Sequence, residues 1–394
     1  MNRIRTLRLA RGLTQDELVR SIGGIVTKQA LSKYENAKAA PSPKVAAELA
    51  RALQVKAAEL FSPPRYEVRF VAYRSYAGLG VRDRAEIEGL LAEQVSARLA
   101  LQDRLGVPDG FSLPTVHVGS VEDAEVAAEA VRDKWDLGSD PIGNLIDVLE
   151  RRRVHVIELV DPPKRFHGIS ALALDCDGRA CGAGVAFRDG TSGERQRLTM
   201  AHEVGHLVLD MPPEIEEEKA AFRFGASLLM PAGAMYQALG RRRGSIRLEE
   251  LGLLKRHFGV SMQALVVRAA DLGIIDASLK RDIFMAFSRR GWRKAEPDEL
   301  PMEQPTLWRQ LVSRARAEGV MTAAEAQRWG VGDREAGELA GEAVHGDPRA
   351  LLARPKAERA ALLREQAREA QHLYEPGSEL MEWTEEFVEE APGE

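Results

Sequence analysis

The sequence predicts a multidomain chain: an all-α head, an α+β body around a small sheet, and a mainly helical C-terminal region. Three observations predict it. Residues 1–60 hold short helical runs separated by capping residues and Gly turns. Three β-rich runs cluster between residues 154 and 189, with helical periodicity on both sides. Residues 305–375 are rich in Ala, Arg and Glu. At roughly 100–200 residues per domain, 394 residues accommodate two or three domains.

The head comes first. IRTLRLARG ends in a Gly suited to follow a helix. Thr14-Gln-Asp-Glu17 is a capping box that opens a helix from Gln15 to Ile22, which ends at Gly23-Gly24. A second helix starts near Thr27 and runs to Asn36. Ser42-Pro43 pairs an N-cap with a first-turn proline and opens KVAAELARAL. Pro63-Pro64 marks a boundary, so the head spans 1–62.

Residues 63–150 read as a connecting and dimerisation region. RYEVRFVAYRS alternates as a strand does. Residues 82–105 place Ile87, Leu90, Leu91, Val95, Leu99 and Leu101 at helical spacing. Further helices are expected at 121–136 and at 141–152, the latter entered through Asp140-Pro141. The body, 151–285, opens with VHVIELV (154–160), GISALALD (168–175) and GAGVAFRD (182–189), the last two joined by an Asp177-Gly178 turn. Helices follow at 195–210, stopped by Pro212-Pro213, and at 215–229, 246–258 and 261–272. Residues 286–374 form the helical C-terminal region, and 375–394 an acidic tail.

The net charge of −5 hides an uneven distribution. Residues 1–60 hold eleven Lys/Arg against five Asp/Glu, whereas 375–394 hold eight Glu and no Lys/Arg. A basic head suits a polyanionic partner. No run approaches the ~18 apolar residues of a membrane span, and the Arg-broken N-terminus makes no signal peptide. Two cysteines make no disulfide framework, so a reducing, cytoplasmic setting is expected. Secreted, membrane-spanning and collagenous classes are excluded on these grounds.

Two short helices around a Gly-containing turn form a helix-turn-helix pattern. Its second helix must present side chains to base edges, and Lys28, Gln29, Ser32 and Lys33 cluster near its start. Leu31 and Tyr34 face the core. With LRLARGLTQDELVRSIG and VTKQALSKYENAKAAPSPKVAAELARALQV, the head resembles the Cro/CI-type (lambda-repressor-like) helix-turn-helix family over residues 3–60. The resemblance implies a double-stranded DNA operator, a recognition helix at 27–35 that brings Thr27 into the contact set, and a phosphate-buttressing role for Gln15. It also implies a homodimer that reads two half-sites. The interface is not identified by the sequence, and residues 82–105 are taken as its candidate.

The most specific motif is His202-Glu-Val-Gly-His206. Two His at i and i+4 lie about 40° apart around a helix and face one way. Both imidazoles can then hold zinc at ~2.0–2.1 Å. Glu203 is placed beside the cation as a general base, and Gly205 permits close approach of another segment. Such a pattern arises by chance on the order of 0.02 times in a chain of this composition. A third ligand should come from Glu214, Glu216, Glu217 or Glu218 on the next helix.

RQRLTMAHEVGHLVLD and EKAAFRFGASLLMP resemble the ImmA/IrrE family of zinc peptidases. Matching Phe224 and Met230-Pro231 to that family's pattern implies Glu218 as the third ligand. The likeness covers about residues 1–285, and it implies an α+β zincin-like peptidase domain with a small sheet and an HExxH active-site helix. It further implies a DNA-binding regulator with a zinc-dependent endopeptidase that cleaves a repressor- or antitoxin-like protein under stress. The alternative is a transcription factor or antitoxin-type interaction protein whose zinc site is structural or sensory. Oxyanion donors are sought among His155, His167, Arg197, Arg223 and Tyr236. The runs Arg151–Arg153 and Arg241–Arg243 read as solvated surface, with phosphate contact as the weaker reading.

Overall fold

The computed structural model describes residues 3–61, 65–71, 79–108 and 110–328. The far half of the strand expected at 65–75, the helices expected beyond 328 and the acidic tail lie outside the described residues. The chain divides into two compact units, Met1–Val320 and Met321–Glu394.

The head is built from α1 (Ile4–Leu9), α2 (Gln15–Ser21), α3 (Lys28–Glu35) and α4 (Pro43–Ala52), closed by a 3-10 turn at Ala57–Leu60. Local chemistry sets each start. Thr14 and Glu17 bond reciprocally as a capping box: the Thr14 amide donates to Glu17 Oε2 at 2.6 Å, and the Glu17 amide to Thr14 Oγ1 at 3.1 Å. Thr27 caps α3 and Ser42 caps α4. Ile4, Leu7, Leu18, Leu31, Leu49 and Leu60 then form a core of their own. Arg8 is buried within the head and paired with Glu35 at 2.5 Å. Removing Glu35 would strand that charge, at roughly 3–5 kcal/mol.

The body opens with β1 (Glu67–Phe70) and α5 (Val81–Arg104), followed by β2 (Val116–His117), α6 (Ala124–Lys134), α7 (Leu145–Glu150) and β3 (Val154–Leu159). Then come β4 (Gly168–Leu174), β5 (Ala180–Arg188), α8 (Gly193–Val208) and β6 (Leu209–Asp210). The first unit continues through α9 (Glu217–Leu229), α10 (Ala232–Leu239), α11 (Leu248–Phe258), α12 (Met262–Asp271), α13 (Ala277–Arg289) and α14 (Leu307–Ala317). The second unit is described only through α15 (Ala323–Arg328). Among the described residues no helix is long and apolar enough to cross a membrane.

The main sheet has the order β1-β4-β5-β3, with only the β3–β5 pair parallel. Both faces are covered, which is why its strands read as unbroken apolar runs. Val154, Val156, Ala183 and Val185 face the core shared with α6, α8 and α9. Ile157, Leu159, Ala171 and Ala186 face α5. Gly184 makes room for that helix, because a Cβ there would stand 2.3 Å from Val95 Cγ2.

Three expectations are corrected. The apolar stripe of residues 82–105 is spent inside the chain, since Ile87, Leu91, Val95 and Leu99 pack on this sheet; it is not a free dimer face. The helix expected at 141–152 starts at Leu145, because Asn144 Oδ1 accepts the Asp147 amide and supplies the cap. The helix expected at 195–210 ends at Val208, before the prolines. Leu209 turns extended and pairs with Val116 in the small β2–β6 sheet.

Residues 294–306 strap across the body. Glu296 caps α12 by accepting the amides of Met262 and Gln263, at 2.8 and 2.9 Å. Glu303 accepts the Ile146 amide at 2.9 Å and pairs with Arg197. These bonds tie the chain beyond residue 285 to the same unit as the sheet.

Candidate metal centre and DNA-reading head

The site is made by two helices that cross closely. On α8 the i, i+4 spacing turns both imidazoles of the HEVGH segment the same way. Their Nε2 atoms stand 3.0 Å apart. On α9, Glu218 presents its carboxylate to both, 3.4 Å from His202 Nε2 and 3.6 Å from His206 Nε2. The three candidate ligand atoms all lie within 4.8 Å of one another.

Glycines make the crossing possible. A Cβ on Gly205 would sit 3.1 Å from the Ala221 backbone, and one on Gly225 only 2.9 Å from the His202 nitrogen. Each helix therefore offers the other a flat spot. The short link between them, Leu209 to Glu216, folds through β6 and a turn in which the Ile215 amide donates to Pro212 O. The tight connection implied by the sequence is thus met. Phe222 lies against the His202 ring, with centroids 4.1 Å apart.

The donor set fits a cation. Two ligands on one tetrahedral zinc are separated by about 3.3 Å, close to the observed spacing of the two Nε2 atoms. Burial, with the neighbouring His202 ring, holds His206 below the ordinary imidazole range, so it is neutral and able to donate a lone pair. Glu218, beside both rings, is held below the usual carboxylate range. Its Oε1 is buried and makes no hydrogen bond among the described residues, and the same holds for Glu203 Oε2. A bound cation offers such atoms a partner.

Glu217 takes a different place from Glu218. Its Oε1 lies 3.2 Å from His206 Nδ1, on the far side of the ring from the ligand cluster. An imidazole that gives one nitrogen to a metal donates its other N–H to just such a carboxylate.

Glu203 is 2% exposed and lies against the first residue of β4. A Cβ on Gly168 would approach its Oε1 to 2.7 Å, so only glycine leaves room for this carboxyl. Burial pushes Glu203 up to about 7, opposed by His202 and the Ser170 hydroxyl. The two site carboxyls are thus driven apart, one toward the anion and one toward the proton-carrying form.

His202, Glu203, Glu218 and Phe222 line a cleft of about 380 Å³, with His167 at its wall. His167 is the one candidate oxyanion donor of the five that lines it. The others serve elsewhere. His155 is buried in β3, and burial drives it to about 3. Arg197 is buried on Glu303 and Ile142 O, Arg223 binds Glu125, and Tyr236 donates to Leu272 O. Arg153 is buried, with Asp103 at 3.5 Å, and Arg152 stacks on Trp135. Arg241 stacks on Tyr236, and Arg243 binds Glu250. Arg152, Arg153 and Arg243 are thus drawn into the fold as struts, whereas Arg151, Arg241 and Arg242 are exposed, as a solvated surface requires.

In the head, Lys28, Gln29 and Lys33 are exposed on α3 and Ser32 is half-buried beside them. Lys28 reaches Asp16 on α2 at 2.6 Å. Asn36 Nδ2 donates to Ser32 O. The Thr27 hydroxyl accepts the Ala30 amide at 3.2 Å, which occupies it as a cap. Gln15 donates to Glu35 Oε2 at 2.7 Å, locking the start of α2 onto the end of α3.

Fold and site together define the class: a helix-turn-helix head joined to an α+β domain with an HExxH metal-site helix. Residues 4–60 match the Helix-turn-helix family model. Residues 182–270 match a peptidase-family model, that of the IrrE N-terminal-like domain. The chain therefore joins a DNA-binding type of head to a domain of metallopeptidase type. No curated protein matches it.

Proposed function

We propose that this protein is a DNA-binding regulator whose body is a zinc-dependent endopeptidase, narrow in specificity, that cuts a repressor- or antitoxin-like protein. The observation that supports this most is the convergence of His202, His206 and Glu218 with Glu203 buried beside them. His202, His206 and Glu218 would hold zinc. When bound, zinc activates water toward attack and polarises the scissile carbonyl. Glu203 takes the proton from the attacking water and carries it to the leaving amine. Glu217 holds the His206 ring and its tautomer. Lys28, Gln29, Ser32 and Lys33 read bases, with Gln15 and Thr27 fixing the helix that carries them. Two copies pair to read two half-sites in the cytoplasm.

The test compares wild type with Glu203→Gln for bound metal, operator binding and cleavage of candidate repressors. The variant is expected to keep zinc and the operator while losing cleavage by at least about 100-fold. Stoichiometric zinc with no cleavage of any partner by wild type would leave a structural or sensory metal site instead.

A further inference from the structure

The cleft does not end at the histidines. It shares the side chains of His167, Arg195 and Thr199 with a second hollow of about 260 Å³. That hollow also takes Lys164 and Arg188 into its wall and, among the described residues, no carboxylate. Arg188 is oriented by its guanidinium donating to the carbonyl oxygens of Phe166, Pro162 and Pro163, and among the described residues it forms no ion pair. Lys164 and Arg195 are exposed, on two different segments. Glu194, next to Arg195, is turned away and occupied by Lys255 Nζ and the Leu300 amide. The hollow flanks the first turns of α8, whose N-terminal end adds positive potential.

Distance gives the hollow a register. Arg195 precedes His202 by seven residues, about 10 Å along a helix at 1.5 Å per residue. An extended peptide covers that in about three residues. We infer that the hollow of Lys164, Arg188 and Arg195 is a subsite for an acidic side chain of the substrate, about three residues from the bond that is cut. The inference rests on the peptidase reading of the adjoining site. A hollow of this volume holds a side chain and not a duplex, so nucleic acid is the disfavoured occupant.

Binding is measured apart from cleavage. Fluorescein-labelled, amidated decapeptides of Ala and Gly carrying a Glu-Glu, Gln-Gln or Lys-Lys pair are titrated into zinc-loaded Glu203→Gln protein. The Glu-Glu peptide is expected to bind roughly tenfold more tightly than the Gln-Gln peptide. Arg195→Glu should erase or invert the preference. Lys164→Glu, on another segment, should shift it the same way if Arg195→Glu fails to fold. Equal affinities, or binding of none, overturn the inference. So does a Gln-Gln peptide with a free C-terminus that matches the Glu-Glu peptide, because the terminal carboxylate is then the ligand. Displacement of the Glu-Glu peptide by a short DNA duplex, with Lys28 and Gln29 changed to Ala, overturns it as well. Preference without cleavage by wild type would sink the peptidase reading alone; cleavage without preference would sink the subsite alone.

Discussion

Three adjacent environments separate three glutamates. Glu218 faces both Nε2 atoms, Glu217 faces His206 Nδ1, and Glu203 is buried against Gly168. Sequence alone left Glu217 and Glu218 equivalent, and only the family likeness favoured one. Changing Glu217 to Gln should weaken zinc binding about 10–100-fold, as loss of an outer-shell carboxylate does. Glu218→Gln, which removes a proposed ligand, should weaken it further, and competition with a chelating dye measures both. Burial raises Glu203, so its effect on metal-free stability has a definite sign. The unfolded chain releases that proton near pH 4.5, the folded one near 7. Stability from this group is therefore lost as pH rises from 4.5 to 7, by at most about 3 kcal/mol. Denaturant melts of metal-free wild type should fall over that window relative to Glu203→Gln. A cation beside the carboxyl favours its anion, so the acid limb of activity should lie below pH 7.

At the scale of elements, the α8–α9 crossing determines whether the site exists. A Gly→Ala change inside a helix ordinarily gains up to about 1 kcal/mol. At Gly225 the new Cβ meets the backbone of His202 and Ala201, which cannot swing aside. Overpacking costs about 1–3 kcal/mol. Gly225→Ala should therefore lower the melting temperature and weaken zinc binding together. A Gly233→Ala control in α10 has nothing within 4 Å of the added atom, so it should leave zinc binding unchanged without lowering the melting temperature. Helix starts were legible wherever a capping side chain is local, as at Thr14, Thr27 and Ser42. The end of α8 was not. It depends on Leu209 finding Val116, 93 residues earlier, in the register of a two-residue parallel pair.

On the scale of the whole molecule, head and body have separate cores yet meet along α5. A Cβ on Gly89 would lie 2.6 Å from the Ala10 nitrogen, and Arg11 makes two bonds to Glu93. The face of α3 that carries Lys28, Gln29 and Lys33 stays exposed, as the proposed reading of bases requires. Changing Lys28 and Gln29 to Ala should abolish sequence-selective operator binding in a gel-shift assay, and unchanged selectivity would assign reading to another element. Binding should also weaken steeply with salt, because phosphate neutralisation releases counterions.

The sequence by itself determined what is local. It specified the capped head, the strand runs at 154–189, and a helix with two histidines and a glutamate on one side. These follow from spacing and neighbours a few residues apart. The tertiary structure alone decided what depends on distant partners. It turned Arg197 from a candidate oxyanion donor into a strut on Glu303, 106 residues away. It buried the stripe of α5 within its own chain, and it gathered Lys164, Arg188 and Arg195 beside the candidate metal centre. A side chain's type is written in the sequence, but which charge or surface it meets is set only when the chain closes on itself.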